Sequence, residues 1–339
     1  MKKHKICKIL LVILAIFLCV AFYELLGICV AYKKQPEVSN TTKKETKNGS
    51  WNECSENTER AVIIEKNPEA LLQRVRLIKN AKKEIILSTF AFQSDESGKL
   101  ILGALHDAAD RGVHIRLLVD GMESWIDMEG NPYFYGLSSH ENVEIKLYNK
   151  ANPLKPWKMM GRMHDKYLIA DGKRYILGGR NTYNYFLGDF PGHKNYDRDV
   201  LVVCDEPEKE NSVNQLLEYF ETIWEQEDSG YFHDNKKLAN RKSVKNAVLE
   251  LQNGYQKYFE ENKERICDTD YTDETFETEK IALVSNPIHT GSKEPVVWYQ
   301  LGELMKNAKN RVKIHTPYII CNDMMYNTCL LYTQVPNNQ

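Results

Sequence analysis

The chain has 339 residues, 42% hydrophobic and 10% aromatic, which excludes a chain disordered throughout and leaves room for one large or two modest domains. The formal net charge is −2, and residues 32–339 alone hold 41 basic and 46 acidic side chains. The basic excess of a domain that grips nucleic acid by its phosphates is therefore missing, which makes a nucleic-acid partner the weaker expectation.

Lys2, Lys3, Lys5 and Lys8 precede an apolar run at residues 9–23, and the hydrophobic character resumes over residues 25–32. Broken only by Glu24, these stretches make about 23 residues, the length that spans a bilayer core. A cleaved signal peptide is the competing reading, but no small-x-small cleavage site precedes Tyr32, and bulky Ile28 disfavours lipid attachment at Cys29. Four lysines before the run against Lys33 and Lys34 after it predict a cytoplasmic N-terminus, with the remainder outside. Residues 1–32 are thus expected to anchor the chain in the cell membrane by a single pass. Residues 33–59, rich in Lys, Glu, Asn, Thr and Ser, are expected to form a flexible stalk.

The periodic pattern begins near Ala61. Residues 68–80 have helical spacing, with Leu71, Leu72, Val75 and Ile78 on one face. Residues 85–90 read as a strand, residues 100–111 as a helix closed by Gly112, and residues 113–119 and 143–147 as further strands. This alternation predicts an α/β fold with a buried, partly parallel sheet flanked by helices. Asp120 then falls at the carboxyl end of a strand, although Asp120-Gly121 also suits a plain turn. Trp125, Tyr133, Phe134 and Tyr135 sit in an aromatic loop that suits an acyl-chain groove, a membrane face or ordinary packing. Strands at residues 166–170 and 174–177 are joined by Asp171-Gly172, a hairpin signal. A strand at 199–204 and a helix at 214–225 close a first domain, residues 60–225.

Residues 226–280 read as a charged connector with one helix around residues 243–260. A repeat follows: Lys79-Asn80-Ala81-Lys82 and the strand at 85–89 recur as Lys306-Asn307-Ala308-Lys309 and residues 312–316, an offset of 227. Residues 281–285 echo the strand from Ala61, so residues 281–339 are expected to begin a second copy of the α/β half. Cys54, Cys204, Cys267, Cys321 and Cys329 are scattered without a C-x-x-C pair, which offers neither a disulfide framework nor a zinc pattern.

The densest polar pattern runs from His164 to Asn181. Side chains alternate faces along a strand, so His164 and Lys166 project to the same side, about 6–7 Å apart. An ammonium there neutralises non-bridging phosphoryl oxygens, while an imidazole attacks phosphorus or hands over a proton. Asp171 opens the hairpin and cannot share that face by alternation, so it is expected to hold a partner in place. Gly178 and Gly179 allow close backbone approach, and Asn181 adds an amide donor. Arg180 and Arg198 flank the pattern as candidate anion-binding groups. Each piece alone has a bland account as a loop histidine, a turn or a bulge; their joint spacing disfavours coincidence.

The segment resembles the active-site motif of the phospholipase D superfamily, H-x-K-x4-D-x6-G-G-x-N, and in appearance the bacterial cardiolipin-synthase-like proteins above all. His164, Lys166, Asp171, Gly178, Gly179 and Asn181 match every defined position. The stretch Tyr196-Asp197-Arg198-Asp199-Val200 resembles the family's aspartate-bearing strand, with Asp199 at the acidic position, although the preceding tryptophan is absent. His315-Thr316-Pro317-Tyr318 resembles the strand end that opens the family's second half. The resemblance covers most of residues 60–225 and 281–325. It implies two such motifs meeting across a pseudo-twofold axis, one histidine becoming a phosphohistidine and the other protonating the leaving alkoxide, with no metal and no cofactor. His164 is then the nucleophile, Lys166 and Asn181 bind phosphoryl oxygens, Gly178, Gly179 and Asp199 border the substrate, and Asp171 supports the motif. The repeat offset puts the partner histidine near position 391, and none of His193, His233, His289 or His315 lies in such a pattern. His106 and His114 suit core or surface roles. The second half is expected from further sequence of a longer enzyme or from a homodimer; otherwise the chain is a membrane-tethered scaffold. The function implied is a phosphatidyltransferase or phospholipase acting on membrane glycerophospholipids, with a metal-independent nuclease as the alternative.

Overall fold

The structure, a computed structural model, describes residues 2–34, 36–48, 59–207, 211–233, 235–314 and 323–333. Cys54, Cys321 and residues 315–318 lie outside the described residues. The apolar N-terminal run forms one helix, α1 (Lys2–Tyr32), long and apolar enough over Lys5–Tyr32 to cross a membrane. Within the stretch read as a stalk, Ser39 caps a second helix, α2 (Asn40–Lys47), by accepting from the Thr42 N–H.

The domain then alternates β1 (Arg60–Ile64), α3 (Asn67–Asn80), β2 (Glu84–Thr89), α4 (Glu96–Asp110) and β3 (His114–Asp120). Two short helices follow, α5 (Gly121–Asp127) and α6 (Pro132–Ser138), where the sequence suggested an aromatic loop. Asp120 and Asn131 cap them, and α6 buries Phe134 and Tyr135 while α5 leaves Trp125 exposed. Next come β4 (Val143–Tyr148), the hairpin β5 (Lys166–Ala170) and β6 (Arg174–Gly178), then β7 (Asp199–Val203) and α7 (Ser212–Trp224).

The supposed connector is built into the same domain. The strands β8 (Ser229–Tyr231) and β9 (Phe276–Glu277) extend the two edges of the sheet, and α8 (Lys242–Glu261) leads into α9 (Lys263–Cys267). Val244, Ala247, Leu251, Tyr255 and Phe259 recur at helical spacing, so α8 buries one stripe and turns its charges to solvent. It packs so tightly on α4 that a Cβ on Gly103 would lie 2.6 Å from the Leu251 carbonyl oxygen.

The nine strands run in the order β8-β4-β3-β2-β5-β6-β7-β1-β9, with β2, β3 and β4 parallel and the other pairs antiparallel. Helices cover both faces. Along β5, Leu168 and Ala170 enter the core under α3 and α4, whereas Tyr167 and Ile169 enter the core under α7. The strand expected at residues 281–285 does not form; Ile281, Leu283 and Ile288 instead pack beside the α7 core. The Leu283 N–H donates to the Gln215 side chain at 2.8 Å, which replaces a strand partner. Beyond them lie α10 (Val296–Asn307) and α11 (Asp323–Thr333).

Candidate active site

The site is assembled where β2 ends and β5 begins. Lys166 pairs with Thr89 in the antiparallel ladder, so the residue after β2, Phe90, stands beside the residues that lead into β5. The rings of Phe90 and His164 lie 4.5 Å apart, and the Lys166 ammonium is 5.3 Å from the centre of the same Phe90 ring. His164 and Lys166 therefore flank one aromatic ring on one side of the sheet. His164 is exposed and Lys166 is buried, and Lys166 Nζ donates to the His164 carbonyl oxygen at 2.6 Å.

The loop carrying His164 is pinned one residue earlier. Met163 is buried in the α7-side core, and its N–H donates to Asp120 Oδ2 at 3.1 Å. Fully buried Asp120 also accepts from the Met122 and Glu123 N–H groups and pairs with Arg162. One carboxylate thus caps α5 and fixes the approach to His164. A turn signal in the sequence hid this role. Asn181 is buried, and its side-chain oxygen accepts from the Ala91 N–H at 3.3 Å, which ties down the loop after Phe90.

Two residues assigned to the site from the motif lie elsewhere. Asp171 sits at the far end of β5, about 17 Å of extended chain from Lys166. With φ of 55°, it accepts from the N–H groups of Lys82, Lys83 and Glu84, clamping the hairpin to the start of β2. There it anchors the hairpin, a supporting role at a distance from His164 and Lys166. Asp199 is also withdrawn, with no exposed side-chain surface: it pairs with buried Arg74 at 2.9 Å and buried Arg180 at 3.3 Å. Arg180, being committed to this network, is not an anion-binding group, while exposed Arg198 pairs with Glu65.

The acidic neighbours of Lys166 are Asp165 and Asp197, whose charges raise its affinity for its proton. The glycine pair makes room for these carboxylates. A Cβ on Gly178 would lie 2.1 Å from Asp199 Oδ1, and one on Gly179 would lie 2.0 Å from Asp197 Oδ2.

The electrostatics favour a neutral imidazole beside a charged amine. Burial, then the Lys166 charge, push the His164 pKa below its ordinary value. Burial brings Lys166 down to about 8, against the pull of Asp165 and Asp197. Asp165 turns to the other face, where Tyr219 Oη donates to Oδ2 at 2.8 Å, and burial raises its carboxyl pKa. A cavity of about 370 Å³ is lined by His164, Asp165, Lys166, Gly178, Tyr219 and Lys293, among others. Among the described residues, no other histidine lines it, and no group of three or more His, Cys, Asp or Glu is placed to hold a metal ion.

An exposed imidazole just before β5 and a buried ammonium on its first residue thus flank one aromatic ring. Residues 74–224 match the family described as "Cardiolipin synthase, PLD-like domain". Over those residues the chain carries a phospholipase D-like domain and resembles the cardiolipin synthases. An uncharacterized protein of Helicobacter pylori strain J99 is 30% identical over 212 residues, covering 58% of this chain and 39% of the relative. Cardiolipin synthase C of Escherichia coli K12 is 29% identical over 171 residues, covering 46% of this chain and 34% of that protein. The chain spans 39% and 54% of the length of two Helicobacter pylori relatives. Among solved structures, NucT from Helicobacter pylori aligns with a TM-score of 0.41 and 17% identity, covering 51% of this chain and 99% of that one. Phosphatidylserine synthase of Haemophilus influenzae Rd KW20 aligns with a TM-score of 0.43 and 16% identity, covering 65% of this chain and 48% of that one.

Proposed function

We propose that the chain is the nucleophile-bearing half of a membrane-anchored phosphatidyltransferase or phospholipase that acts on glycerophospholipids. The observation that carries this reading is the pairing of a neutral, exposed His164 with a buried, charged Lys166 around Phe90. The free His164 nitrogen donates its lone pair to phosphorus, and the bond to the leaving alkoxide breaks as the N–P bond forms. Lys166 opposes the charge gathering on the non-bridging oxygens. The alkoxide takes its proton from a second histidine, supplied by another phospholipase D half in a second copy or in further sequence. Water or an acceptor alcohol then attacks phosphorus, loses its proton to the same base, and releases His164.

The lipid arm of the reading draws on α1 and on the absence of a basic excess. In this reading α1 spans the cell membrane once, with the domain on the extracytoplasmic side. The test is turnover of phosphatidylglycerol in vesicles by the full chain. His164→Asn is expected to abolish turnover and leave the melting temperature unchanged, because the side chain is exposed. Salt-sensitive cleavage of DNA or RNA in chelator, with vesicle lipid untouched, would replace this reading with a nuclease.

A further inference from the structure

Five large apolar side chains stand exposed at the sheet end that carries His164. Leu154 is 78% exposed, Trp157 45% and Met160 57%, all in the loop from β4 to His164; Trp125 and Ile126, on α5, are each 67% exposed. The start of α5 abuts the start of that loop, since a Cβ on Gly121 would lie 2.6 Å from the Lys150 backbone nitrogen. Both are fixed by Asp120, which caps α5 and accepts from the Met163 N–H. Lys150 and Lys155 add exposed positive charge to the loop, while Glu123 and Asp127 on α5 carry negative charge.

What covers this patch is indicated by α1, which is seated against the same loop. The Tyr23 hydroxyl donates to the Leu154 carbonyl oxygen at 3.0 Å, and a Cβ on Gly27 would lie 2.4 Å from Pro156 Cγ. At the last residue of the helix, the Tyr32 hydroxyl donates to the Thr290 carbonyl oxygen at 2.6 Å. A hydrocarbon core of about 30 Å takes about 20 helical residues, so a core entered after Lys8 ends near Ile28. Gly27, and Pro156 against it, then lie at the boundary between acyl chains and headgroups. Tyr23, and Leu154 against it, lie about 6 Å deeper.

We propose that the loop over residues 154–160, together with Trp125 and Ile126, is seated in the interfacial layer of the bilayer that α1 crosses. The occupant is the lipid surface itself. Tryptophan, with its apolar body and polar N–H, suits that depth, and exposed lysines beside it suit anionic headgroups. The consequence is positional: the loop runs on into Met163 and His164, so its docking brings the imidazole to the level of the lipid phosphodiester. The inference rests on α1 spanning the membrane and deepens the lipid reading of the site.

The test uses the full chain reconstituted in phosphatidylcholine–phosphatidylglycerol vesicles, part of whose lipid carries bromine on the upper acyl chain. Brominated lipid is expected to quench tryptophan emission. Trp157→Phe and Trp125→Phe should each remove part of that quenching, and Leu154→Trp, a gain-of-signal variant, should increase it. Far-UV circular dichroism matching the native chain establishes that each variant is folded. Unchanged quenching in all three variants, with the chain still in the membrane after alkaline washing, overturns the docking and leaves the anchor standing. A chain that washes off the vesicles overturns both. Crosslinking of the patch to a second copy, with no quenching, assigns the surface to self-association and likewise overturns the proposal.

Discussion

Lys166 offers the sharpest test, because its environment works against its own charge. The side chain is 6% exposed, and burial lowers its pKa from 10.5 to about 8. In the folded chain at pH 7 the amine is about ten parts in eleven protonated, and at pH 9 about one part in eleven. Turnover that needs the ammonium is therefore expected to fall about tenfold per unit above pH 8, and its acidic limb to follow protonation of His164 below the ordinary histidine value. The same shift has a sign for stability. An unfolded lysine keeps its proton up to about pH 10.5, so between pH 8 and 10.5 the unfolded chain binds more protons and stability rises with pH. Below pH 8 the buried charge costs about 3 kcal/mol. Lys166→Met should thus abolish turnover and raise stability at pH 7 by up to that amount. The measurements are a pH–rate profile on vesicle lipid and paired thermal melts of native and variant chains. A rate flat through pH 9.5, or a Lys166→Met chain that melts below the native one, would refute the reasoning.

Three further substitutions separate anchoring from chemistry. Asp171→Ala strips the acceptor from three backbone N–H groups at the start of β2, which should cost about 2–4 kcal/mol, seen as a lowered denaturation midpoint, with turnover per folded molecule nearly unchanged. Asp199→Asn leaves Arg74 and Arg180 buried against a neutral amide; breaking such a pair costs about 3–5 kcal/mol, read as loss of folded protein and not as altered substrate preference. Asp120→Asn weakens the cap of α5 and the hold on Met163 together, so turnover on lipid should fall at least tenfold, and Lys166→Met added to it should abolish what remains.

Apart from the short helices α5 and α6, the order of helices and strands through residue 225 is readable from apolar spacing, because each amphipathic stripe finds a face of one sheet. The strand pattern at residues 281–285 shows where this logic stops. Its apolar residues echo those of β1, yet a strand exists only beside a partner, and here Gln215 and the α7 core occupy that place. The same limit applies to α8, whose charged residues suggest a connector until its buried stripe meets α4. In the site, a spacing of two residues is enough to put His164 and Lys166 on one side. It cannot rank Asp197 against Asp199, since alternation gives both the same parity. Only the packing does so, by burying Asp199 between two arginines and leaving Asp197 near the ammonium.

Asp120 illustrates a dependence that no local pattern carries. Its carboxylate is reached by the N–H groups of Met122 and Glu123 from the helix it caps, but also by Met163 from a segment 43 residues away. Through that bond, the end of β3 sets where the loop before β5 is held, and so where an exposed imidazole with little packing of its own comes to rest. The reactive residue is thereby left free on its solvent side, while the burial cost is borne by its neighbours: Lys166 beneath Phe90 and Asp120 beneath Met163. Such a division predicts that stability and turnover respond to different residues, and it explains why the hairpin clamp at Asp171 belongs to a motif whose chemistry lies at the other end of the strand.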